Sequence, residues 1–146
     1  MGGVKGARAA ERVLIDTCVW IYHFEGRREY SDRAGELLDR VESGRWHGIV
    51  SEISLLEILV KPLRKGDQDV ADAYELILER FPHTEILPVT REVILKAAEL
   101  RAGYGLKLPD AVILATGLNH GATLAVTQDR AWHRVDEIEV LRLDAR

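Results

Sequence analysis

The sequence predicts an α/β fold built on a central, mainly parallel sheet of four to five strands. Short apolar runs rich in β-branched residues alternate along the chain with longer segments whose apolar residues recur every three or four positions. Strands that alternate with helices in this way are typical of parallel sheets covered by helices. No linker-like tract and no internal repeat divides the chain, so a single domain is expected.

The start of the chain separates into a tail and the first elements of the domain. Residues 1–11 are rich in Gly and Ala and lack core periodicity, so we expect a flexible tail ahead of one domain over 12–146. A β-branched apolar run closed by an acid predicts a buried strand over 12–16. The aromatic-rich segment 17–24 predicts a short helix.

The remaining elements are delimited by capping residues and by Pro and Gly. Ser31 and Asp32 are suitable N-caps for a helix that ends at 43–44, and Thr90 is a suitable cap for a later helix. Pro62 is expected to end or kink its helix, because it lacks an N–H donor and its ring clashes with the preceding turn. The further strands are expected over 47–51, 85–89, 122–126 and 138–141, and the further helices over 52–63, 67–81, 90–103 and 109–119.

Composition and charge exclude several classes of protein. The chain has 146 residues, 47% of them apolar, and its single cysteine, Cys18, excludes internal disulfides. No Cys/His cluster has zinc-binding spacing. The sequence shows neither a secretory signal nor an apolar run long enough to span a bilayer, so a cytoplasmic location is expected. With 20 Lys and Arg against 24 Asp and Glu, the net charge of −4 argues against binding nucleic acid by bulk charge alone.

Four acids occupy positions where an ionised carboxylate is energetically unfavourable. Asp16 closes the first predicted strand, and Asp129 follows the strand over 122–126. Glu57 lies alone among the apolar residues of its helix, and Asp110 opens another strongly apolar helix. A carboxylate in such surroundings loses hydration free energy unless a cation or hydrogen bonds compensate it.

The topology of a parallel sheet brings these four acids to one edge. The end of each strand and the start of the helix that follows it lie at the carboxyl edge, where open α/β sheets bind their ligands. Converging carboxylates repel one another unless a cation lies among them. Oxygen ligands without Cys or His suit Mg²⁺ or Mn²⁺, so the expected chemistry is metal-assisted phosphoryl transfer.

Four short motifs, in order along the chain, resemble those of a known family. They are Ile15-Asp16-Thr17, Ser51-Glu52-Ile53-Ser54-Leu55-Leu56-Glu57, Leu108-Pro109-Asp110-Ala111-Val112-Ile113-Leu114-Ala115 and Val126-Thr127-Gln128-Asp129-Arg130. Together they resemble the successive motifs of the PIN-domain ribonucleases, and within that family the chain is most similar to the VapC-type toxins of type II toxin–antitoxin pairs. The resemblance covers residues 12–143.

The resemblance implies a three-layer α/β/α fold and a Mg²⁺- or Mn²⁺-dependent endoribonuclease. It implies that the catalytic residues and metal ligands are Asp16, Glu57, Asp110 and Asp129. Thr127, and secondarily Thr17, would orient a carboxylate or phosphate. Family members often carry another acid two or three residues after the last ligand, where this chain has Ala131 and Trp132, so one metal ion is expected. A cognate antitoxin and a homodimer are also implied.

Basic and aromatic residues near the acids are further candidates. The cations that could guide RNA phosphates toward the metal are Lys61, Arg64, Lys65, Lys107 and Arg130. For any one of these residues taken alone, a solvated charged surface is the preferred interpretation. Trp20, Tyr22 and Phe24 would stack bases or receive an antitoxin segment, or else pack in the core as aromatic residues commonly do. His133 is a candidate only because it is close to Asp129 in sequence.

Other enzyme classes fit the sequence less well. It contains no Walker loop, dinucleotide-binding loop or nucleophile elbow. An aspartyl-phosphate phosphatase would need a second acid two residues after Asp16, where Cys18 stands. We therefore expect a metal-dependent endoribonuclease, the toxin of a toxin–antitoxin pair, in which water attacks the phosphodiester in line. The alternatives are a catalytically idle RNA- or protein-binding module of the same fold and an RNA-processing nuclease without an antitoxin.

Overall fold

A five-stranded, entirely parallel sheet organises the molecule. The computed structural model describes residues 9–26 and 29–145, and in this part of the chain the strand order is β3-β2-β1-β4-β5. The strands are β1 (Glu11–Ile15), β2 (Trp46–Ser51), β3 (Thr84–Leu87), β4 (Leu124–Thr127) and β5 (Glu139–Arg142). The predicted α/β class is confirmed.

Six α-helices and one 3₁₀ helix connect the strands in the described residues. They are α1 (Thr17–Glu25), α2 (Ser31–Glu42), α3 (Glu52–Arg64), α4 (Gln68–Glu79), α5 (Arg91–Tyr104), α6 (Leu108–Asn119) and the 3₁₀ helix Arg130–Arg134. Helices α1 to α4 contribute to the core on one face of the sheet, and α5 and α6 to the core on the other. This arrangement is the expected three-layer α/β/α architecture.

Alternation along the central strand divides its side chains between these two cores. Val13 and Ile15 of β1 pack with α1 to α4, whereas Leu14 between them packs with α5 and α6. All three are completely buried. A strand covered on both faces is apolar at every position, which explains why β1 reads as a continuous apolar run.

Several boundaries differ from the sequence-based expectations. Strand β1 begins at Glu11, one residue inside the predicted tail, and residues 1–8 of that tail lie outside the described part of the chain. Helix α3 ends at Arg64, one residue beyond the predicted end at 63, so Pro62 does not itself end the helix. The Pro62 ring is buried, so its packing offsets the helical hydrogen bond that the missing N–H cannot form.

The expected N-cap of α2 is also wrong. Tyr30 occupies the cap position without a side-chain hydrogen bond, and Ser31 is the first helical residue. The Ser31 hydroxyl instead donates to the carbonyl of Tyr22 at 2.6 Å, which ties the start of α2 to α1. Thr90 does cap α5, accepting from the Val93 N–H. None of the helices within residues 9–26 and 29–145 combines the length and the apolar composition of a membrane-spanning segment.

Candidate active site

The four predicted acids lie together at the carboxyl edge of the sheet. Asp16 follows β1 and caps α1, and Asp129 follows β4 and caps the 3₁₀ helix. Glu57 lies in the second turn of α3, and Asp110 in the first turn of α6. Their charges affect one another, since Asp110 and Glu57 act on Asp16, and Asp129 and Glu57 act on Asp110. The tertiary fold thus places all four within one electrostatic cluster.

Asp16 is the most buried and most extensively bonded of these acids. Its side chain is only 7% exposed. One carboxylate oxygen accepts from the Thr17 backbone N–H at 2.7 Å, and the other accepts from the Thr127 hydroxyl at 2.6 Å. The Cys18 thiol also lies 3.6 Å from this second oxygen. Cys18 was not among the predicted site residues, and burial followed by the Asp16 charge raises the pKa of its thiol well above the ordinary value.

Thr127 links two of the acids. It is completely buried at the end of β4, and while its hydroxyl donates to Asp16, the same oxygen accepts from the backbone N–H of Asp129 at 3.0 Å. The Asp129 carboxylate in turn accepts from the backbone N–H of Ala131 at 2.9 Å. Thr127 therefore orients the Asp16 carboxylate and fixes the backbone at Asp129.

A second chain of hydroxyl groups orients Glu57. The Thr17 hydroxyl oxygen lies 2.6 Å from a Glu57 carboxylate oxygen and 2.8 Å from the Ser54 hydroxyl oxygen. Thr17 has one hydroxyl proton, so when it donates to the carboxylate it must accept from Ser54. Ser54 is completely buried and was not among the predicted site residues. The available signal was its position one helical turn before Glu57.

Burial and mutual repulsion weaken two of the acids. The pKa of Asp16 is raised from 3.8 to about 7, mainly by burial and further by the charges of Asp110 and Glu57, although its hydrogen bonds oppose the shift. The pKa of Asp110 is raised from 3.8 to about 6, first by burial and then by the charge of Asp129. In the described part of the chain, none of the four acids forms an ion pair with Lys, Arg or His. The cluster therefore carries uncompensated negative charge.

The donor set fits a hard divalent cation. All the candidate ligand atoms are carboxylate oxygens, which Mg²⁺ and Mn²⁺ prefer. Among the described residues, no group of three or more His, Cys, Asp or Glu is preformed with the spacing to hold a metal ion. Mg²⁺ usually retains several waters and binds protein through one or two carboxylates, so a closed protein cage is not required. The acid cluster therefore fits a divalent cation in two respects, its carboxylate oxygen ligands and its negative charge.

A cavity of about 510 Å³ opens beside Glu57, between α1, α3 and α4. Two of the predicted RNA-contact residues, Lys61 and Lys65, line it. Lys61 pairs with Glu25 at 2.8 Å, whereas Lys65 is exposed beyond the end of α3. Both cations thus line the same cavity as Glu57, and the other three acids do not line it.

Two of the other predicted cations adjoin acids in sequence, whereas Arg64 lies at the far end of α3 from the carboxyl edge. Lys107 immediately precedes α6, and Arg130 opens the 3₁₀ helix, so each is close in sequence to one acid, and both are exposed. Arg64 is exposed at the last position of α3. His133 is exposed on the 3₁₀ helix.

The aromatic candidates belong largely to the core. Trp20 is completely buried, and its ring meets Phe81 edge-on, with centroids 4.9 Å apart. Phe24 stacks on Tyr74 at 4.5 Å, and Tyr22 is only partly buried. The burial of Trp20 confirms the core-packing alternative for that residue.

The parallel sheet, the two helical layers and the acid cluster at the carboxyl edge define an α/β domain with a candidate metal-dependent active site. A family model for the PIN domain matches residues 13–138, so the chain belongs to the PIN-domain family. This finding confirms the resemblance that the four motifs indicated. No curated protein sequence gives a significant match to the chain.

Solved structures share this fold over almost the whole chain. A toxin–antitoxin complex from Klebsiella pneumoniae aligns with a TM-score of 0.70 and 23% identity, covering 92% of this chain and 98% of that one. A VapBC complex from Rickettsia felis bound to promoter DNA has a TM-score of 0.72 and 16% identity, over 90% and 98% of the two chains. A VapC toxin from Mycobacterium tuberculosis described as cleaving the sarcin–ricin loop has a TM-score of 0.64 and 18% identity, over 77% and 86%. At these identities, the similarity establishes the shared fold.

Proposed function

We propose that this chain is a Mg²⁺- or Mn²⁺-dependent endoribonuclease and the toxin of a toxin–antitoxin pair. The observation that carries the proposal is the cluster of four carboxylates at one sheet edge, without a protein cation to neutralise it in the described residues. Like charges gathered in this way lower the stability of the free protein, so the arrangement favours a cationic ligand.

The side chains of this site have separable roles in the proposed reaction. Asp16, Glu57, Asp110 and Asp129 would hold the cation, while Thr127 and Thr17 orient Asp16 and Glu57. A bound divalent cation supplies the positive charge that a phosphodiester and its attacking water need at neutral pH. Because the pKa values of Asp16 and Asp110 are raised, a divalent cation would compete with protons for these two carboxyl groups.

The nuclease is tested with purified protein and a structured RNA. Cleavage is expected with Mg²⁺ or Mn²⁺, and it is expected to stop with EDTA or with Asp16→Asn. Asp39→Asn, at an exposed position on α2, is the matched control and should cleave normally. Cleavage that survives EDTA or Asp16→Asn would contradict the metal model. RNA binding without any cleavage would instead support the idle module.

The toxin role is supported by the fold shared with the toxin–antitoxin proteins above. Expression in a bacterial host is expected to arrest growth, and Asp16→Asn is expected to abolish the arrest. Co-expression of a small gene next to this one, encoding the antitoxin, should restore growth. The absence of growth arrest by an active nuclease would favour the RNA-processing alternative.

A homodimer remains part of the proposal. Helix α3 exposes Leu56, Val60 and Leu63 at a spacing of three to four residues, and α5 exposes Ile94 and Leu95. Exposed apolar side chains grouped on helices are typical of surfaces that pair with another protein. Light scattering of the purified chain is expected to give twice the 16.4 kDa monomer mass, and a monomer at all concentrations would contradict the expectation.

A further inference from the structure

Arg142 lies at the carboxyl edge of the sheet, on the same face as Thr127. It ends β5, the edge strand beside β4, and its Cα is paired with that of Thr127. Two residues earlier on each strand, Ala125 and Val140 pack in the core formed with α5 and α6. Because side chains alternate along a strand, Arg142 and Thr127 leave the sheet on this same face. Arg142 is therefore a cation one strand away from the residue that orients Asp16.

The Arg142 guanidinium group is held in a fixed orientation. Its Nε donates to one carboxylate oxygen of Asp144 at 3.0 Å, and its Nη2 donates to the other. A bidentate pair of this kind fixes the plane of the guanidinium group as well as its position. In the described residues the Nη1 atom has no acceptor, and it is not sealed from solvent. This nitrogen is therefore available to donate to a further ligand.

The turn after β5 ties this ion pair to the end of β4. The Asp144 backbone N–H donates to the Gln128 side-chain oxygen at 3.3 Å, and the Leu143 N–H donates to the Thr127 carbonyl at 3.2 Å. Gln128 lies between Thr127 and Asp129, so the same short segment anchors the ion pair and carries one of the four acids. The guanidinium group is thus fixed relative to the acid cluster.

The chemistry of this group suits a phosphate. The hydrogen-bonded Arg142, and to a smaller extent the exposed Arg130, hold the pKa of Asp144 below its ordinary value, so two guanidinium groups act on one carboxylate. Only one phosphate of an RNA strand is cleaved, and the acid cluster repels the others, which need cations of their own. A guanidinium group with a free N–H edge is well suited to phosphate oxygens.

We propose that Arg142 binds a phosphate of the RNA strand next to the one that is cleaved, and that Asp144 holds the guanidinium group ready for this contact. The inference rests on the proposed function, because it requires RNA to lie across the carboxyl edge of the sheet. Phosphate contacts fix the position of a nucleic acid on a protein, so Arg142 sets where the strand lies relative to the acids. Arg142 was not among the predicted RNA contacts.

Arg142→Gln tests this contact with a cleavage-resistant single-stranded RNA analogue. The variant is expected to bind the analogue in Mg²⁺ about 10-fold more weakly, because it loses a charge-assisted hydrogen bond. The slope of log K against log salt should fall by about 0.7, the value for one phosphate contact. For a cleavable RNA, KM should rise by a similar factor with kcat little changed, because the contact is present in both the ground state and the transition state.

Arg40→Gln is the matched control for the change in net charge. Arg40 on α2 lies over the ring of Trp46, which begins β2 at the opposite edge of the sheet. The control removes the same charge as Arg142→Gln and should leave the affinity and the salt slope unchanged. Equal losses in the two variants would overturn the contact, because they would show an effect of net charge alone.

Asp144→Asn separates the cation from its ion pair. This variant breaks the same ion pair but keeps the Arg142 charge, so its salt slope should match that of the unmodified chain. Equal reductions of the slope in Asp144→Asn and Arg142→Gln would overturn the inference, because they would show that the ion pair only supports the turn. Neutral methylphosphonate groups, placed one at a time in the analogue, give a second readout. At one position the substitution should weaken binding to the unmodified chain and cause no further loss in Arg142→Gln.

The outcomes separate the inference from the proposed function. If the chain neither binds nor cleaves RNA in Mg²⁺ or Mn²⁺, both are overturned. If RNA binds without cleavage, the nuclease is overturned and the salt slope still decides the role of Arg142. If RNA is cleaved and Asp16→Asn abolishes cleavage, but Arg142→Gln leaves the slope unchanged, only the role of Arg142 is overturned. Should Arg142→Gln fail to fold, NMR of the ¹⁵N-labelled unmodified chain decides. The Arg142 Nε–H signal must then shift when the analogue is added, and an unshifted signal overturns the contact.

Discussion

Asp16 both caps α1 and lies buried in the acid cluster. The hydrogen bond it accepts as a cap and its burial shift its pKa in opposite directions. As a cap it accepts the Thr17 N–H, which favours the charged form, whereas burial favours the neutral form. Burial prevails, and the pKa reaches about 7. Because the folded-state pKa lies above the unfolded value, the native state binds the extra proton. The free energy of unfolding due to this group is therefore highest below pH 4 and falls as the pH rises toward 7.

Asp16→Asn is consequently expected to stabilise the metal-free protein at high pH. An amide keeps the shape of the protonated acid and carries no charge, so at pH 8 the free energy of unfolding should rise by at least about 1 kcal/mol. At pH 4 the variant and the unmodified chain should be nearly equal. Urea denaturation in EDTA at both pH values measures this, with Asp39→Asn as the control. A gain of the same size at both pH values would contradict the assignment.

Thr17 and Ser54 act on Glu57 as a unit, which a double-mutant cycle can detect. Thr17→Val removes the donor to Glu57 and is expected to lower kcat/KM for RNA cleavage about 10- to 100-fold, whereas Thr17→Ser keeps the hydroxyl and most of the activity. Ser54→Ala alone should cause a smaller loss. In the Thr17→Val background it should cause no further loss, because its effect passes through Thr17. Additive losses would show that Ser54 acts by another route.

At the scale of elements, the site depends on how closely α6 approaches the sheet. A Cβ built on Gly117 would lie 2.8 Å from the Leu14 Cδ2 atom and 3.0 Å from its Cβ, so the helix packs on β1 through a position without a side chain. This close approach holds the first turn of α6, with Asp110, at the edge where β1 ends. Residues 111–117 of this helix are all buried, so it has no room to shift outward without opening the core.

Gly117→Ala is therefore expected to destabilise the protein by about 1–3 kcal/mol, although alanine favours helix formation. Gly103→Ala in α5 is the matched control, because a Cβ there meets no atom within 4 Å. The control should be stabilised by about 0.5–1 kcal/mol. Thermal or urea unfolding of the two variants measures the difference, and a stabilised Gly117→Ala would show that Leu14 can move aside without cost.

At the scale of the whole molecule, the net charge of −4 has to be reconciled with an RNA substrate. Four of the 24 acids belong to the cluster, where a divalent cation would offset part of their charge. Affinity for RNA is then expected to depend on the divalent ion and on a few local cations such as Lys65, which lines the cavity beside Glu57.

A salt titration of RNA binding tests this division. Binding of a cleavage-resistant single-stranded RNA analogue to the unmodified chain should strengthen on addition of Mg²⁺ at constant ionic strength. Lys65→Ala is expected to reduce the slope of log K against log salt by about 0.7, the value for one phosphate contact. Lys96→Ala, at a lysine on α5 that pairs with Glu137, is the control and should leave the slope unchanged. An unchanged slope for Lys65→Ala would remove that residue from the RNA path.

The sequence by itself predicted the α/β class, the family and four acids at one sheet edge, because these predictions depend on patterns local to a few residues. Continuous apolar runs indicate strands buried on both faces, and each acid stands beside such a run or within an apolar helix. Element ends were less certain. Where α2 begins and α3 ends depends on what Ser31 and Pro62 contact. The Ser31 hydroxyl donates to the Tyr22 carbonyl in α1 and does not cap α2.

The tertiary structure alone decided which donors serve each acid. Thr127 lies 111 residues from Asp16 in sequence, and Ser54 lies 37 residues from Thr17, yet each pair is joined by a short hydrogen bond or a shared hydroxyl chain. Hydrogen bonds over such separations follow from strand order and helix packing, which local periodicity does not specify. The pKa shifts have the same origin, since burial and repulsion arise only once the chain has brought the acids together.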